Sequence, residues 1–99
     1  MLKSDVEAIL SHPKICGYSL KLDNWWTVSI QWHSGAYCHN HLKTSRVVPC
    51  PTAEIAAWDA NEDWFDFGGD TVKGWQTPQE IADFVNEISE KENTIATIK

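Results

Sequence analysis

The stretch Trp25–Trp32, WWTVSIQW, limits the possible folds more than any other part of this chain. In an extended backbone Trp26, Val28, Ile30 and Trp32 fall on one side and Thr27, Ser29 and Gln31 on the other. Apolar residues at a period of two mark a strand with one face in a core. The stretch therefore predicts a central antiparallel strand, and the rest of the chain has to supply its neighbours and its cover.

The flanking segments do so in a readable order. Ser4 and Glu7 have the spacing of a capping box, followed by Val6, Ile9 and Leu10 at helical spacing, and Pro13 stops the run. A helix of about two turns is expected near residues 5–11. Tyr18–Leu22 alternates, and Asp23-Asn24 turns it into the central strand as a hairpin. Ala36–Leu42 is expected as a third strand, with Tyr37, His39 and His41 on one face and Ala36, Cys38 and Leu42 on the other. Residues 43–52 hold Pro49 and Pro51 and read as loop or sheet edge. Ala53–Trp58, Asp63–Phe67 and Thr71–Trp75 complete the expected strands, separated by Ala60-Asn61-Glu62 and Gly68-Gly69-Asp70. The last helix is the best marked. Thr77 caps it, Pro78 fills its first turn, Glu80 closes a capping box, and Ile81, Phe84, Val85 and Ile88 form one stripe. It is expected from Pro78 to about Lys91, and Asn93–Lys99 lack a pattern and are expected to fray.

The resulting fold class is α+β: a mainly antiparallel sheet of about five or six short strands, with an N-terminal short helix and a C-terminal amphipathic helix packed on one face. The 99 residues fit a single domain, 1–99. No apolar run approaches the roughly 18 residues of a membrane span, and MLKSDVEAIL has no long apolar region of a signal peptide. A cytoplasmic protein without a membrane partner is expected. Three cysteines, an odd number, fit free thiols in a reducing compartment.

Charge is divided unevenly. Residues 1–50 hold Lys3, Lys14, Lys21, Lys43 and Arg46 against Asp5, Glu7 and Asp23. Residues 51–99 hold only Lys73, Lys91 and Lys99 against eleven acids, and the net charge is −6. That balance argues against direct nucleic-acid binding, which needs a basic face, and favours a basic protein partner.

Four constellations could carry chemistry. Cys38, His39 and His41, with His33 or Cys50 nearby, offer zinc-ligand types. A strand turns Cys38 away from the two histidines, however, and there is no CxxC pair. The plainer reading is a surface strand with one buried thiol, and no cofactor is expected, zinc being the alternative. Cys16, Cys38 or Cys50 beside a histidine could form a nucleophile pair, but none sits at a strand–helix elbow, and cysteine is commonly just a small buried residue. Asp59, Glu62, Asp63, Asp66 and Asp70 could supply an acid and a base, although Asp in turns serves the backbone more often. The EF-hand spacing is absent.

The fourth constellation carries the reading. Between residues 54 and 70 lie six acids and no base, interleaved with Trp58, Trp64, Phe65 and Phe67. Aromatics supply anchor area to a protein interface, and carboxylates supply steering. The partner-binding residues expected are Glu54, Trp58, Asp59, Glu62, Asp63, Trp64, Asp66 and Asp70. Strand alternation alone could also produce the pattern, with half of the aromatics in the core.

In size, acidity and tryptophan content the chain resembles small phage and prophage accessory proteins, anti-CRISPR inhibitors among them, and bacterial immunity proteins that neutralise a basic toxin. The resemblance implies stoichiometric binding, in some cases by mimicry of nucleic-acid charge, and assigns no residue a role. The expected function is that of a non-catalytic protein-binding inhibitor occupying a basic, nucleic-acid-handling surface of a partner. The alternatives are a small metal-binding domain built on the Cys/His cluster, and a small hydrolase or transferase using a histidine and a carboxylate.

Overall fold

A computed structural model describes residues 1–92. The expected fraying of Asn93–Lys99 lies outside the described residues. The alternation of the central stretch places Val28 and Ile30 in the interior and leaves Thr27, Ser29 and Gln31 half-covered. This strand, β2 (Thr27–Gln31), lies between β1 (Gly17–Lys21) and β3 (Ala53–Trp58), and β4 (Lys73–Gln76) follows β3 at the far edge. All neighbours are antiparallel. The register sets Leu20 beside Val28 and Val28 beside Ala57, and Tyr18 beside Ile30 and Ile30 beside Ile55. Residues directly opposite in an antiparallel pair share a face, so these positions make one inner face across three strands.

Two helices cover that face. α1 (Lys3–Leu10) contributes Val6 and Leu10, and α2 (Pro78–Ser89) contributes Ile81, Ala82, Phe84, Val85 and Ile88 to one core with Val28, Ile30, Ala53, Ile55 and Ala57. Burying the four larger apolar residues of the α2 stripe contributes on the order of 1.5–3 kcal/mol each before entropy. The helices also meet each other: the amino group of Met1 donates to Asn86 Oδ1 (2.8 Å), and Asn86 Nδ2 donates back to Met1 O (3.2 Å).

At the start of α2, Thr77 and Glu80 form the predicted box. Glu80 N donates to Thr77 Oγ1 (3.3 Å), and Thr77 N donates to Glu80 Oε1 (2.9 Å). The box predicted for α1 is displaced by two residues. Leu2 holds the cap position, and its N–H donates to Asp5 Oδ2 (2.8 Å), so Asp5 takes the role expected of Glu7 and Ser4 lies inside the helix. Leu2 has no side-chain acceptor, and only the carboxylate half of a box forms.

Among the described residues the sheet has four strands rather than five or six. Residues 36–42 keep the predicted burial alternation, with Ala36, Cys38 and Asn40 buried, but they form no strand. Their backbone bonds are spent locally: Ala36 N donates to His33 O, Cys38 N to Ala36 O, and His41 N to Cys38 O. Leu42, expected beside Cys38, turns outward at φ 61° and is 80% exposed. Asp63–Phe67 touches the sheet at one bridge, Trp58 to Trp64, because turns at both ends use its neighbours' backbone groups. The first hairpin is also wider than predicted. Trp25 N donates to Leu22 O (3.0 Å) and Leu22 N to Trp26 O (2.8 Å), which leaves Trp25 in the turn at φ 68° instead of in the strand.

Candidate functional site

The inner face takes Ala53, Ile55 and Ala57 of β3, so Glu54, Ala56 and Trp58 point to the opposite, helix-free face. Trp64 joins Trp58 there through the bridge, and the two indoles stack with centroids 4.8 Å apart. Trp64 is 48% exposed and Trp58 half-buried. The next residues alternate. Phe65 and Phe67 turn inward, meet each other at 4.9 Å, and pack on Phe84 at 5.4 and 5.2 Å. Half of the segment's aromatics are thus packed on the core, and the two tryptophans form an outward platform.

The acids divide in a similar way. Asp59 Oδ1 accepts from Asn61 N (2.8 Å) and Asp63 N (3.0 Å). Asp66 Oδ1 accepts from Gly68 N (2.9 Å) and Gly69 N, and Asp70 Oδ1 accepts from Val72 N (3.2 Å). These three carboxylates build turns, as short polar side chains do where the chain reverses. Gly68 and Gly69, at φ 93° and 105°, supply the backbone that the second turn requires. Glu54 is apart from the rest. Its Oε2 accepts from Tyr37 N (3.0 Å) and ties residues 33–42 to the sheet. Glu62 and Asp63 are exposed beside the tryptophan stack. Among the described residues none of these carboxylates is held in an ion pair. The eight predicted residues therefore form a compact group of Trp58, Trp64, Glu62 and Asp63, three turn-builders around it, and Glu54 at the other end of the strand.

Behind the segment, a groove of about 370 Å³ separates it from α2. Phe65, Phe67 and Phe84 line it together with Glu80, Asp83 and Glu87 of α2 and Lys73 of β4. Glu80, Asp83 and Glu87 lie outside the apolar stripe of α2, and their juxtaposition with Phe65 and Phe67 depends on tertiary packing. Hydrogen bonds from the Thr77 backbone N–H and hydroxyl hold the Glu80 carboxyl below its ordinary range, with a smaller contribution from Lys73.

The turns that replace the third strand set Cys38 beside Cys50 and give the histidines separate local partners. Cys38 is buried, and its thiol lies 3.5 Å from His33 O. Burial pushes that thiol's pKa up, against a backbone bond from Asn40 that lowers it, and the neighbouring Cys50 adds to the rise. Cys50 is buried as well and donates to Thr52 O (3.0 Å). His39 is exposed and held by its backbone N–H on Thr52 Oγ1 (2.9 Å). His41 Nδ1 lies 3.0 Å from Ala36 O, which calls for the Nδ1–H tautomer, and His33 Nδ1 accepts from Gly35 N (3.1 Å). Among the described residues no three His, Cys, Asp or Glu side chains converge as a metal would require. The groove behind the acidic segment is lined by none of His33, His39 and His41.

A second aromatic group lies at the β4 edge and was not legible in the sequence. Tyr37, His41 and Trp75 have ring centroids 5.1 to 6.1 Å apart. Trp75 occupies an irregularity between the two β3–β4 pairs at φ 52°, donates its N–H to Tyr37 O (2.8 Å), and is 54% exposed. Gly74 makes the approach possible, since a Cβ there would lie 2.6 Å from Tyr37 Cβ and 2.7 Å from Tyr37 O.

Comparison with protein-family models, with curated proteins and with solved structures finds no match to this chain. No helix among the described residues is long and apolar enough to cross a membrane.

Proposed function

We propose that the chain is a non-catalytic protein-binding module that occupies a basic, nucleic-acid-handling surface of a partner protein and blocks it. The observation carrying this reading is the outward Trp58–Trp64 stack beside the exposed carboxylates of Glu62 and Asp63. Stacked indoles give a large anchor at small entropic cost, and carboxylates not neutralised within the fold give a partner's lysines and arginines something to pair with. The acidic wall of α2 extends the same charge around the segment.

The structure refines which residues test the reading. Charge reversal at Asp59, Asp66 or Asp70 breaks turns and confounds binding with folding. Glu62→Lys with Asp63→Lys, and separately Trp64→Ala, change the surface while leaving those turn bonds in place. The tagged chain is used to capture proteins from nuclease-treated lysate of its own host. A basic nucleic-acid-handling protein retained by the wild type, released by salt, and lost with both variants is the expected result. An unchanged captured set with both variants overturns this surface as the site.

A further inference from the structure

The two edges of the sheet are treated differently. The β4 edge is short, irregular and occupied, because Trp75 N donates to Tyr37 O. The β1 edge is five residues long, and all five are in regular register with β2. Trp32 N donates to Cys16 O, and Leu22 N donates to Trp26 O. Cys16 and Leu22 are thus hydrogen-bonded positions at the two ends of the ladder. In an antiparallel pair such positions alternate with non-bonded ones. Tyr18 and Leu20 therefore direct their backbone groups to β2, and Gly17, Ser19 and Lys21 direct N–H and C=O outward. Among the described residues nothing pairs with that outward row. Regular, unprotected edges of this kind are templates for another strand.

We infer that β1 is the contact through which two copies of this chain pair, antiparallel, about a two-fold axis at Ser19. This inference is independent of the proposed function. The argument for a second copy is the self-complementarity of GYSLK. Centring the axis on Ser19 sets Ser19 against its own copy and Gly17 against Lys21, so all three outward residues exchange backbone bonds. Tyr18 then faces Leu20 on the helix side. Tyr18 is 41% exposed and Leu20 half-buried, and each covers the other. The only charge in the strand, Lys21, meets a glycine instead of a second lysine. Moving the axis to residue 18 or 20 shortens the overlap, and moving it to Lys21 opposes like charges. The axis is perpendicular to the sheet, so both helix-free faces remain on one side, as an isologous pair requires. One strand edge buries less than a standard interface of roughly 1,200–2,000 Å², which predicts a reversible, micromolar dimer.

Sedimentation equilibrium on the full chain, from low micromolar to near-millimolar concentration, tests this. The expected mass rises from one chain to two. Ser19→Pro removes an N–H that the fold itself does not use, so it should keep the wild-type circular dichroism and weaken dimerisation at least about tenfold. Should that variant fail to fold, hydrogen exchange on the wild type decides. The amides of Gly17, Ser19 and Lys21 should slow at high concentration only, while those of Tyr18 and Leu20 are protected at both. A one-chain mass throughout, an unchanged dimer in the folded variant, or concentration-independent exchange at the three outward amides each overturns the inference.

Discussion

The side chain of Asn24, in the first hairpin turn, donates to the main-chain carbonyl of Ile88 at the end of α2, at 2.8 Å. The same Nδ2 donates to Lys91 O (2.9 Å), and Oδ1 accepts from Trp26 N (3.2 Å). A helix leaves its last carbonyls short of partners, and here a residue 64 positions away gives Ile88 O a second donor beside the Lys91 N–H. Asn24→Ala should therefore destabilise the fold by about 1–3 kcal/mol, because it loses three hydrogen bonds and takes the side-chain donor from Lys91 O, while Ile88 O keeps the Lys91 N–H. Urea denaturation should show a lower midpoint at unchanged slope.

Trp25 adjoins that turn at φ 68°, a conformation costing a non-glycine residue about 1–2 kcal/mol. Lys21 Nζ lies 4.9 Å from its ring centroid, which at an exposed site returns about 0.5–1 kcal/mol. The strain exceeds the return, so Trp25→Gly should leave thermal stability unchanged or raise it. A clear fall in melting temperature would show that the indole contributes more than these two effects.

Glu80 offers a pH test. Its carboxyl is held below the ordinary range by Thr77, so its contribution to stability is fully present above the unfolded-state value and is lost as pH falls through the lowered folded value. Glu80→Gln should flatten the acid limb of the stability curve and have little effect on the limb above neutrality. Thermal melts from pH 3 to 7, in wild type and variant, make the comparison.

The thiols should react unequally. Cys16 is half-buried, whereas Cys38 and Cys50 are buried, and burial keeps Cys38 in its protonated, unreactive form. A short alkylation of the native protein followed by peptide mass mapping should label Cys16 first. Cys38 and Cys50 should label only after denaturant is added. Raising pH through the ordinary thiol range should lower stability, because the unfolded chain releases the Cys38 proton more readily than the folded one.

Gly74→Ala would drive a methyl into the Tyr37 backbone, at 2.7 Å from its carbonyl oxygen. Backbone does not give way as a side-chain tip does, and a cost of about 1–3 kcal/mol is expected. The near-ultraviolet circular dichroism of the Tyr37–Trp75 pair should change with it.

Patterns local to a few residues were legible, and those settled by distant contacts were not. The α2 box and stripe needed only spacing, and Thr77, Glu80, Ile81 and Ile88 fall where predicted. Residues 36–42 alternate in burial without being a strand, because turns satisfied their backbone and Asn40 bridged Trp32 O and Val47. That bridge spans 7 and 8 residues and has no periodic signature. In the acidic segment, alternation separated Trp64 from Phe65, but the Trp58–Trp64 stack depended on how the chain returned after Asp59. The division of acids into turn-builders and exposed charges depended on the same geometry. Tyr37 and Trp75 are 38 positions apart in the sequence, and their pairing was beyond any local reading.

Four bulky or charged residues, Trp25, Leu42, Glu62 and Trp75, hold left-handed backbone, each outside the regular part of a strand or helix. Glycine would fit all four without strain. Natural chains are rarely at their stability optimum, and substitutions that relieve such positions are readily found. Two of the four are tryptophans about half exposed to solvent, so the chain retains its largest side chains at positions where they make folding harder. The fold thus carries room for stabilisation at two points on its surface, where relieving the backbone would cost only a half-exposed indole.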